Sequence, residues 1–157
     1  GLSSWWGQLE LGSDQQLSGC AVLDLFAGSG AIGFEAISRG ATACWVEQDR
    51  RALRVIKQNM AQLGAGGYLV AGDVFAFLAA SNHHSFDIIW ADPPYGLATD
   101  RINDLIQLVI EHDWLRPGGQ LLIERDKRSG GLEFPEAYVS CGQRSYGDTV
   151  VFQATRG

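Results

Sequence analysis

The stretch DLFAGSGAIG, residues 24–33, decides the fold of this chain. An apolar run, AVLDL at residues 21–25, leads into it and predicts a short strand, and residues of helical spacing follow it. Gly28, Gly30 and Gly33 satisfy the pattern G-x-G-x-x-G between that strand and that helix. The pattern predicts a βα unit in which bare backbone lies against a nucleotide-containing ligand.

The rest of the chain repeats this alternation of strand-like and helix-like segments, which predicts a mostly parallel sheet with helices on both faces. We predict seven strands, near residues 21–25, 43–47, 68–71, 86–91, 120–124, 138–141 and 149–154. The last two should form an antiparallel hairpin through Gly147-Asp148, a turn-forming pair.

Two predicted helices each have one apolar face, which we expect to be buried. The first face consists of Leu53, Ile56, Met60 and Leu63, and the second of Ile102, Leu105, Ile106, Val109 and Ile110. We expect Pro117-Gly118-Gly119 to end the second helix and to turn the chain into the fifth strand.

Length and composition favour one domain over residues 1–157, with an amino-terminal helix and lead-in at residues 1–19. Three dispersed cysteines argue against a disulfide framework, and no membrane span or secretory signal is recognisable. We therefore expect a cytoplasmic monomer. The 12 basic and 18 acidic residues give a net charge of −6, which argues against nucleic-acid binding unless the basic residues cluster.

Two carboxylates indicate which nucleotide the glycine loop binds. Glu47 ends its strand nineteen residues after Gly28, where a carboxylate accepts hydrogen bonds from ribose hydroxyls. Asp24, four residues before Gly28, would repel a pyrophosphate but suits an α-ammonium and a sulfonium. This combination favours S-adenosylmethionine as the cofactor.

Residues 92–95, DPPY, follow a buried strand and should lie at the carboxyl edge of the sheet, where open α/β folds bind ligands. An exocyclic amine on a nucleobase is a weak nucleophile, so a site must hold its N–H groups and aim its lone pair. The Asp92 carboxylate and the Pro93 carbonyl can be the two acceptors, Pro94 restricts the backbone, and Tyr95 can stack on the base. We predict these four residues as catalytic.

The segment DLFAGSG resembles the first motif of class I S-adenosylmethionine-dependent methyltransferases, which have a Rossmann-like fold. That resemblance implies that Glu47 holds the ribose and that Asp73 accepts from the adenine amino group. Asp73 can also cap a helix. The predicted cofactor-binding residues are Asp24, Phe26, Gly28, Gly30, Glu47, Gln48, Asp73, Val74 and Asp92.

The tetrapeptide DPPY is shared by adenine-N6 DNA methyltransferases and guanine-N2 rRNA methyltransferases. The wider pattern is similar to the bacterial RsmD family of 16S rRNA guanine-N2 methyltransferases: VLDLFAGSG at 22–30, EAISRGA at 35–41, Glu47, DPPY at 92–95 and RSYGDT at 144–149. This resemblance implies 16S rRNA or the small ribosomal subunit as partner. Members usually begin with a basic segment and a short hairpin, and we expect that segment to be missing before Gly1.

Four basic residues are candidates for contact with RNA phosphates: Arg125, Lys127, Arg128 and Arg144. An ordinary solvated loop is the alternative for them. A second basic run, Arg50, Arg51, Arg54 and Lys57, shares a helix with apolar residues and is predicted to be a solvated face. The histidines have no partner at metal-ligand spacing, so we expect no metal.

Three other functions stay open. An adenine-N6 DNA methyltransferase shares the chemistry, although a domain of this length can read little sequence by itself. An NAD-dependent oxidoreductase fits the glycine loop but not Asp24 or the DPPY strand end. A cofactor-binding module without activity of its own would bind the cofactor without turnover.

Overall fold

The computed structural model describes residues 17–64, 66–80 and 84–157. The helix predicted near the amino terminus therefore lies almost entirely outside the described residues. Leu17, at the start of the described chain, is fully buried against the sheet.

The described residues form one seven-stranded sheet with the order β3-β2-β1-β4-β5-β7-β6. Its strands are β1 (Ala21–Leu25), β2 (Thr42–Glu47), β3 (Tyr68–Ala71), β4 (Phe86–Ala91), β5 (Leu115–Asp126), β6 (Tyr138–Tyr146) and β7 (Thr149–Arg156). The first five strands in this order, β3, β2, β1, β4 and β5, pair with their neighbours in parallel. The strand β7 is antiparallel to both β5 and β6. The predicted mostly parallel sheet with an antiparallel last strand is confirmed.

Helices cover both faces of the sheet, as predicted, because alternate residues of each strand point to opposite sides. The helices are α1 (Ala31–Ser38), α2 (Arg50–Leu63), α3 (Val74–Ala79) and α4 (Thr99–Glu111). On one face, Ile89 and Ala91 of β4 pack with residues of α3 and α4. On the other face, Ile88 and Trp90 pack with α1.

The helix α4 ends earlier than the sequence predicted. Its last residue is Glu111, and Asp113 adopts a left-handed conformation (φ 57°) that lets the Trp114 amide donate to the Val109 carbonyl at 2.9 Å. Aspartate tolerates this conformation better than most residues, so it ends the helix without proline or glycine. The prediction that Pro117-Gly118-Gly119 ends α4 was therefore wrong.

Those three residues lie inside β5 instead. The pairing of β4 with β5 passes from Phe86 opposite Leu115 to Ile88 opposite Gln120, so β5 contains extra residues there. Gly118, with φ 82°, supplies the positive φ of this irregularity. The regular part of β5 then begins at Gln120, the first residue of the strand that the sequence predicted.

The helix α2 packs only on the edge of the sheet. Ile56 is its fully buried residue and contacts Trp45 and Ala43 of β2, while Leu63 is 66% exposed. The expectation that Leu63 is buried was wrong, because two edge strands offer little surface for the last turn to cover. The solvated basic face is confirmed, since its members are exposed: Arg50, Arg51, Arg54 and Lys57.

Candidate active site

The three glycines of the loop between β1 and α1 serve different purposes. Gly28 has φ 59°, and a Cβ added there would meet nothing within 4 Å, so its face is open to a cavity. Gly30 has φ 81°, and a Cβ there would meet Phe34 and Trp45. At Gly33 a Cβ would come within 2.2 Å of Trp45 Nε1. Only Gly28 of these three offers bare backbone to a ligand.

Glu47 holds the glycine loop from the end of β2. Its Oε1 accepts a hydrogen bond from the Gly28 amide at 2.7 Å, and its Oε2 accepts from the amides of Gln48 and Asp49, each at 2.9 Å. These charge-assisted bonds fix the carboxylate in position. Glu47, the residue predicted to bind the ribose, is therefore held in position by backbone N–H donors of two loops.

Asp24 is a buried carboxyl group at the end of β1. It is 2% exposed, its Oδ2 accepts from the Gly33 amide at 3.1 Å, and it lines a cavity together with Gly28. Burial, together with the negative charges of Asp92 and Glu47, raises its pKa well above the ordinary value, and the Gly33 hydrogen bond opposes that shift. Such a group gains most from a positively charged ligand.

Three cavities at the carboxyl edge of the sheet share Asp92 in their walls. The nucleoside-side cavity, about 290 Å³, is lined by Phe26, Glu47, Gln48, Gly72, Val74 and Pro94, among others. The central cavity, about 470 Å³, is lined by Asp24, Phe26, Gly28, Trp90, Glu124 and Tyr146, among others. The outer cavity, about 230 Å³, is lined by Pro93, Pro94, Tyr95, Glu124, Arg125 and Thr149, among others. Asp92 thus stands where the glycine loop and the DPPY segment meet.

Asp92 shares a side-chain hydrogen bond with Glu124, which follows the last residue of β5 that pairs with β4. Burial and the negative charge of Asp92 raise the pKa of Glu124 to about 7. Burial also raises the pKa of Asp92, and the hydrogen bond with Glu124 lowers it. The pair is therefore expected to share one proton near neutrality.

The outer cavity contains a cationic group with unused hydrogen-bonding capacity. Arg125 Nη2 donates to the Leu97 carbonyl at 3.4 Å, and Nη1 is buried without a hydrogen-bond partner among the described residues. A buried donor without a partner is costly, so a small shift of the guanidinium that gave Nη1 an acceptor would be favourable. Tyr95, in the wall of the same cavity, is 91% exposed and free to stack on an entering group.

The other three residues predicted to contact RNA lie outside the wall of this cavity. Arg128 forms an ion pair with Asp126 in the short 3₁₀ turn Lys127–Ser129. Lys127 is exposed on the same turn, and Arg144 is exposed on the edge strand β6. The structure thus brings Arg125 into the cavity wall and leaves the remaining three on its surroundings; their contact with phosphate stays a prediction.

Asp73 caps α3, as one of the two sequence interpretations held. Its Oδ2 accepts from the Ala76 amide at 2.9 Å. Its neighbours Gly72 and Val74 line the nucleoside-side cavity. One carboxylate oxygen is thus engaged in capping, and the adenine contact of Asp73 stays a prediction.

Sequence reasoning missed Glu124, Tyr146 and Thr149 as site residues. The signal for Glu124 was present, because neighbouring parallel strands end at the same edge and both Asp92 and Glu124 follow apolar runs. Tyr146 and Thr149, which flank the β6–β7 turn, both line the central cavity.

The helices of the described part of the chain include none that is long and apolar enough to cross a membrane. Within the same residues, histidine, cysteine, aspartate and glutamate side chains form no group of three or more that could hold a metal ion.

Residues 5–154 match the model of a protein family described as conserved hypothetical protein 95, to which RsmD belongs. The chain is 34% identical over 137 residues to the Bacillus subtilis protein named "Putative rRNA methyltransferase YlbH", covering 82% of this chain and 72% of that one. It is also 34% identical over 111 residues to ribosomal RNA small subunit methyltransferase D of Escherichia coli, covering 69% and 54% respectively. The chain thus spans about three quarters of the length of the first relative and about half of the length of the second.

The fold matches a solved structure of the same kind. The solved structure of "Putative methyltransferase yhhF" from Escherichia coli superposes with a TM-score of 0.82 at 28% identity, and the match covers 99% of this chain and 83% of that one. The described sheet and helices therefore have the arrangement of a class I methyltransferase.

Proposed function

This chain belongs to the RsmD family, and on that premise we propose that it transfers a methyl group from S-adenosylmethionine to the exocyclic N2 amine of a guanine in small-subunit rRNA. One observation of the structure carries the proposal. Asp92 lies in the walls of all three cavities, between the glycine loop on one side and Tyr95 and Arg125 on the other. A carboxylate there can serve a methyl donor and an amine acceptor at once.

The residues at the glycine loop fit S-adenosylmethionine. The open face of Gly28 leaves room that a side chain would fill, and the buried carboxyl of Asp24 suits a ligand bearing an ammonium and a sulfonium. Glu47 would hold the ribose, and Phe26, Gln48 and Val74 would enclose the nucleoside. When bound, this cofactor supplies a methyl group that is activated for displacement by its positive sulfur.

The residues of the DPPY segment hold and aim the target amine. The Asp92 carboxylate and the Pro93 carbonyl accept its N–H groups, so that its lone pair points at the methyl carbon. Transfer moves positive charge onto the nitrogen, which then releases a proton readily, so Asp92 needs to orient and stabilise rather than to act as a strong base. Tyr95 stacks on the base, which has to leave its helix to enter the pocket.

The substrate side of the site contains one basic residue, Arg125, among the carboxyl groups of the outer cavity. Arg125, with its unpartnered buried Nη1, faces the cavity in which the nucleotide would lie. Lys127, Arg128 and Arg144 would contact phosphates farther along the RNA. We expect the protein to act on 16S rRNA or the small subunit as a monomer in the cytoplasm.

Methyl transfer to several acceptors tests the proposal. Tritiated S-adenosylmethionine is supplied with small ribosomal subunits that lack the modification, with naked 16S rRNA, and with DNA. Label in rRNA supports the proposal. Label in DNA adenine would instead show the related adenine-N6 activity. Cofactor binding without transfer to any acceptor would show a binding module.

A further inference from the structure

The pairing of β4 with β5 puts two carboxyl groups side by side at the reacting end of the site. Ala91 pairs with Ile123, and the next residue on each strand is acidic, Asp92 on one and Glu124 on the other. Their side chains come together at the same end of the sheet, because each directly follows a residue of the last pair between β4 and β5. A side-chain hydrogen bond joins them, and both line the central and outer cavities.

The surroundings of Glu124 leave Asp92 as its main electrostatic partner. Glu124 pairs with Val151 of β7, which pairs in turn with Arg144 of β6. The charged and titratable groups that face Glu124 from neighbouring elements are Asp92, Asp24 of β1, and Arg144 and Tyr146 of β6. Arg125 is adjacent in sequence and also lines the outer cavity, but its Nη2 donates to the Leu97 carbonyl.

We propose that Glu124, in its protonated form, donates a hydrogen bond to Asp92 and thereby fixes the Asp92 carboxylate, so that its free oxygen accepts from the target amine. Glu124 is a positioning residue in this account, since it acts on the amine through Asp92. The inference rests on the proposed function for the identity of that amine.

The electrostatics of the pair support this assignment. Two adjacent carboxylates cannot both ionise without strong repulsion, so one of them keeps its proton. The pKa of Glu124 is about 7, raised by burial and by Asp92, so Glu124 still holds a large share of its proton at neutral pH. Above that pH the donor is lost, and Asp92 faces a negative charge instead of a hydrogen bond.

Two substitutions of Glu124 separate positioning from other roles. Glu124→Ala removes the donor, and we expect kcat to fall by about 10- to 100-fold with little change in cofactor affinity, because a misplaced catalytic group costs that much. Glu124→Gln keeps an N–H donor that does not titrate. It should recover most of the lost kcat and remove the decline of wild-type kcat above about pH 7.

Two kinetic results would overturn the inference. If Glu124→Gln is as inactive as Glu124→Ala, the carboxyl does more than donate a hydrogen bond. If Glu124→Ala matches the wild-type chain, Asp92 needs no positioning by Glu124.

A measurement that needs no activity distinguishes failure of this inference from failure of the proposed function. The carboxyl carbon of Glu124 is followed by NMR as pH is varied, in the wild-type chain and in Asp92→Asn. We expect a midpoint near 7 that moves to lower pH in the variant. An ordinary midpoint of about 4.3 in the wild-type chain overturns the inference even if methyl transfer to rRNA is observed.

Discussion

Gly33 of α1 lies against the indole of Trp45, so closely that a Cβ at Gly33 would stand 2.2 Å from Trp45 Nε1. The same Nε1 donates to the Gly30 carbonyl at 3.0 Å. Trp45 is fully buried, and it packs between α1 and β2 directly behind the glycine loop. The loop that faces the cofactor is thus held from behind by an aromatic side chain that tolerates no methyl group at Gly33.

Gly33→Ala should therefore destabilise the whole domain. The added methyl forces Trp45 or α1 to shift, and such overpacking costs about 1–3 kcal/mol. Urea unfolding in the absence of cofactor measures the loss. The control is Gly142→Ala on the edge strand β6, where a Cβ meets nothing within 4 Å. Equal stability of Gly33→Ala and the wild-type chain would contradict the packing described for Trp45.

Replacement of Glu47 should weaken cofactor binding. Glu47→Ala removes the acceptor of the amides of Gly28, Gln48 and Asp49 as well as the proposed ribose contact. We expect the affinity for S-adenosylmethionine to fall at least about 10-fold, the equivalent of one charge-assisted hydrogen bond. Isothermal titration calorimetry measures it.

The matched control for Glu47 is Glu35→Ala on α1, which removes only a surface ion pair with Arg39. Its affinity for the cofactor should equal that of the wild-type chain. If Glu47→Ala also binds normally, the nucleoside-side cavity is not the cofactor site.

Arg125 should contribute to RNA binding through charge. Arg125 lines the outer cavity, and its buried Nη1 has no acceptor among the described residues. Arg125→Ala should weaken binding of the rRNA substrate and reduce the salt dependence of log K by about one unit, as expected for one lost phosphate contact. Filter binding at several salt concentrations measures both effects.

Arg54→Ala is the control for Arg125, because Arg54 lies on the exposed face of α2. Arg54→Ala should leave the slope of log K against log salt concentration close to the wild-type value. A similar small change in both variants would mean that Arg125 serves only to hold the Leu97 loop.

The carboxyl pair should also make stability depend on pH. The pKa of Glu124 rises on folding to about 7, so the folded chain binds more protons than the unfolded chain between the two values. Stability therefore falls as pH rises through that window. Glu124→Gln removes the titration, and it should gain stability relative to the wild-type chain between pH 5 and pH 8. Thermal unfolding without cofactor at both pH values checks this, and a constant difference would contradict the raised pKa.

Much of the fold follows from local sequence patterns. The strand before Gly28, the buried run before Asp92 and the turn at Gly147-Asp148 all lie where their residues predicted them. The end of α4 did not, because Asp113 adopts a left-handed conformation and proline and glycine were the expected signals. The exposure of Leu63 depends on how much sheet lies beneath α2, which helical periodicity does not report.

The candidate site was predictable in its motifs but not in its pairings. Spacing from the glycine loop suggested Asp24 and Glu47, and the DPPY motif suggested Asp92. The hydrogen bond between Asp92 and Glu124 depends on the register of two strands that are far apart in sequence. Gly33 makes room for the Trp45 side chain, whereas Gly28 exposes its backbone to the cavity. The sequence does not show this difference, because both residues fit the same glycine pattern.

The most direct test of the central claim is nucleoside analysis of methylated small subunits, with the wild-type chain and Asp92→Ala compared at equal cofactor saturation. We predict N2-methylguanosine from the wild-type chain. Asp92→Ala should still bind S-adenosylmethionine but lose at least about 100-fold in kcat, because the target amine is no longer held. Absence of N2-methylguanosine with the wild-type chain, or an unchanged rate with Asp92→Ala, would contradict the account.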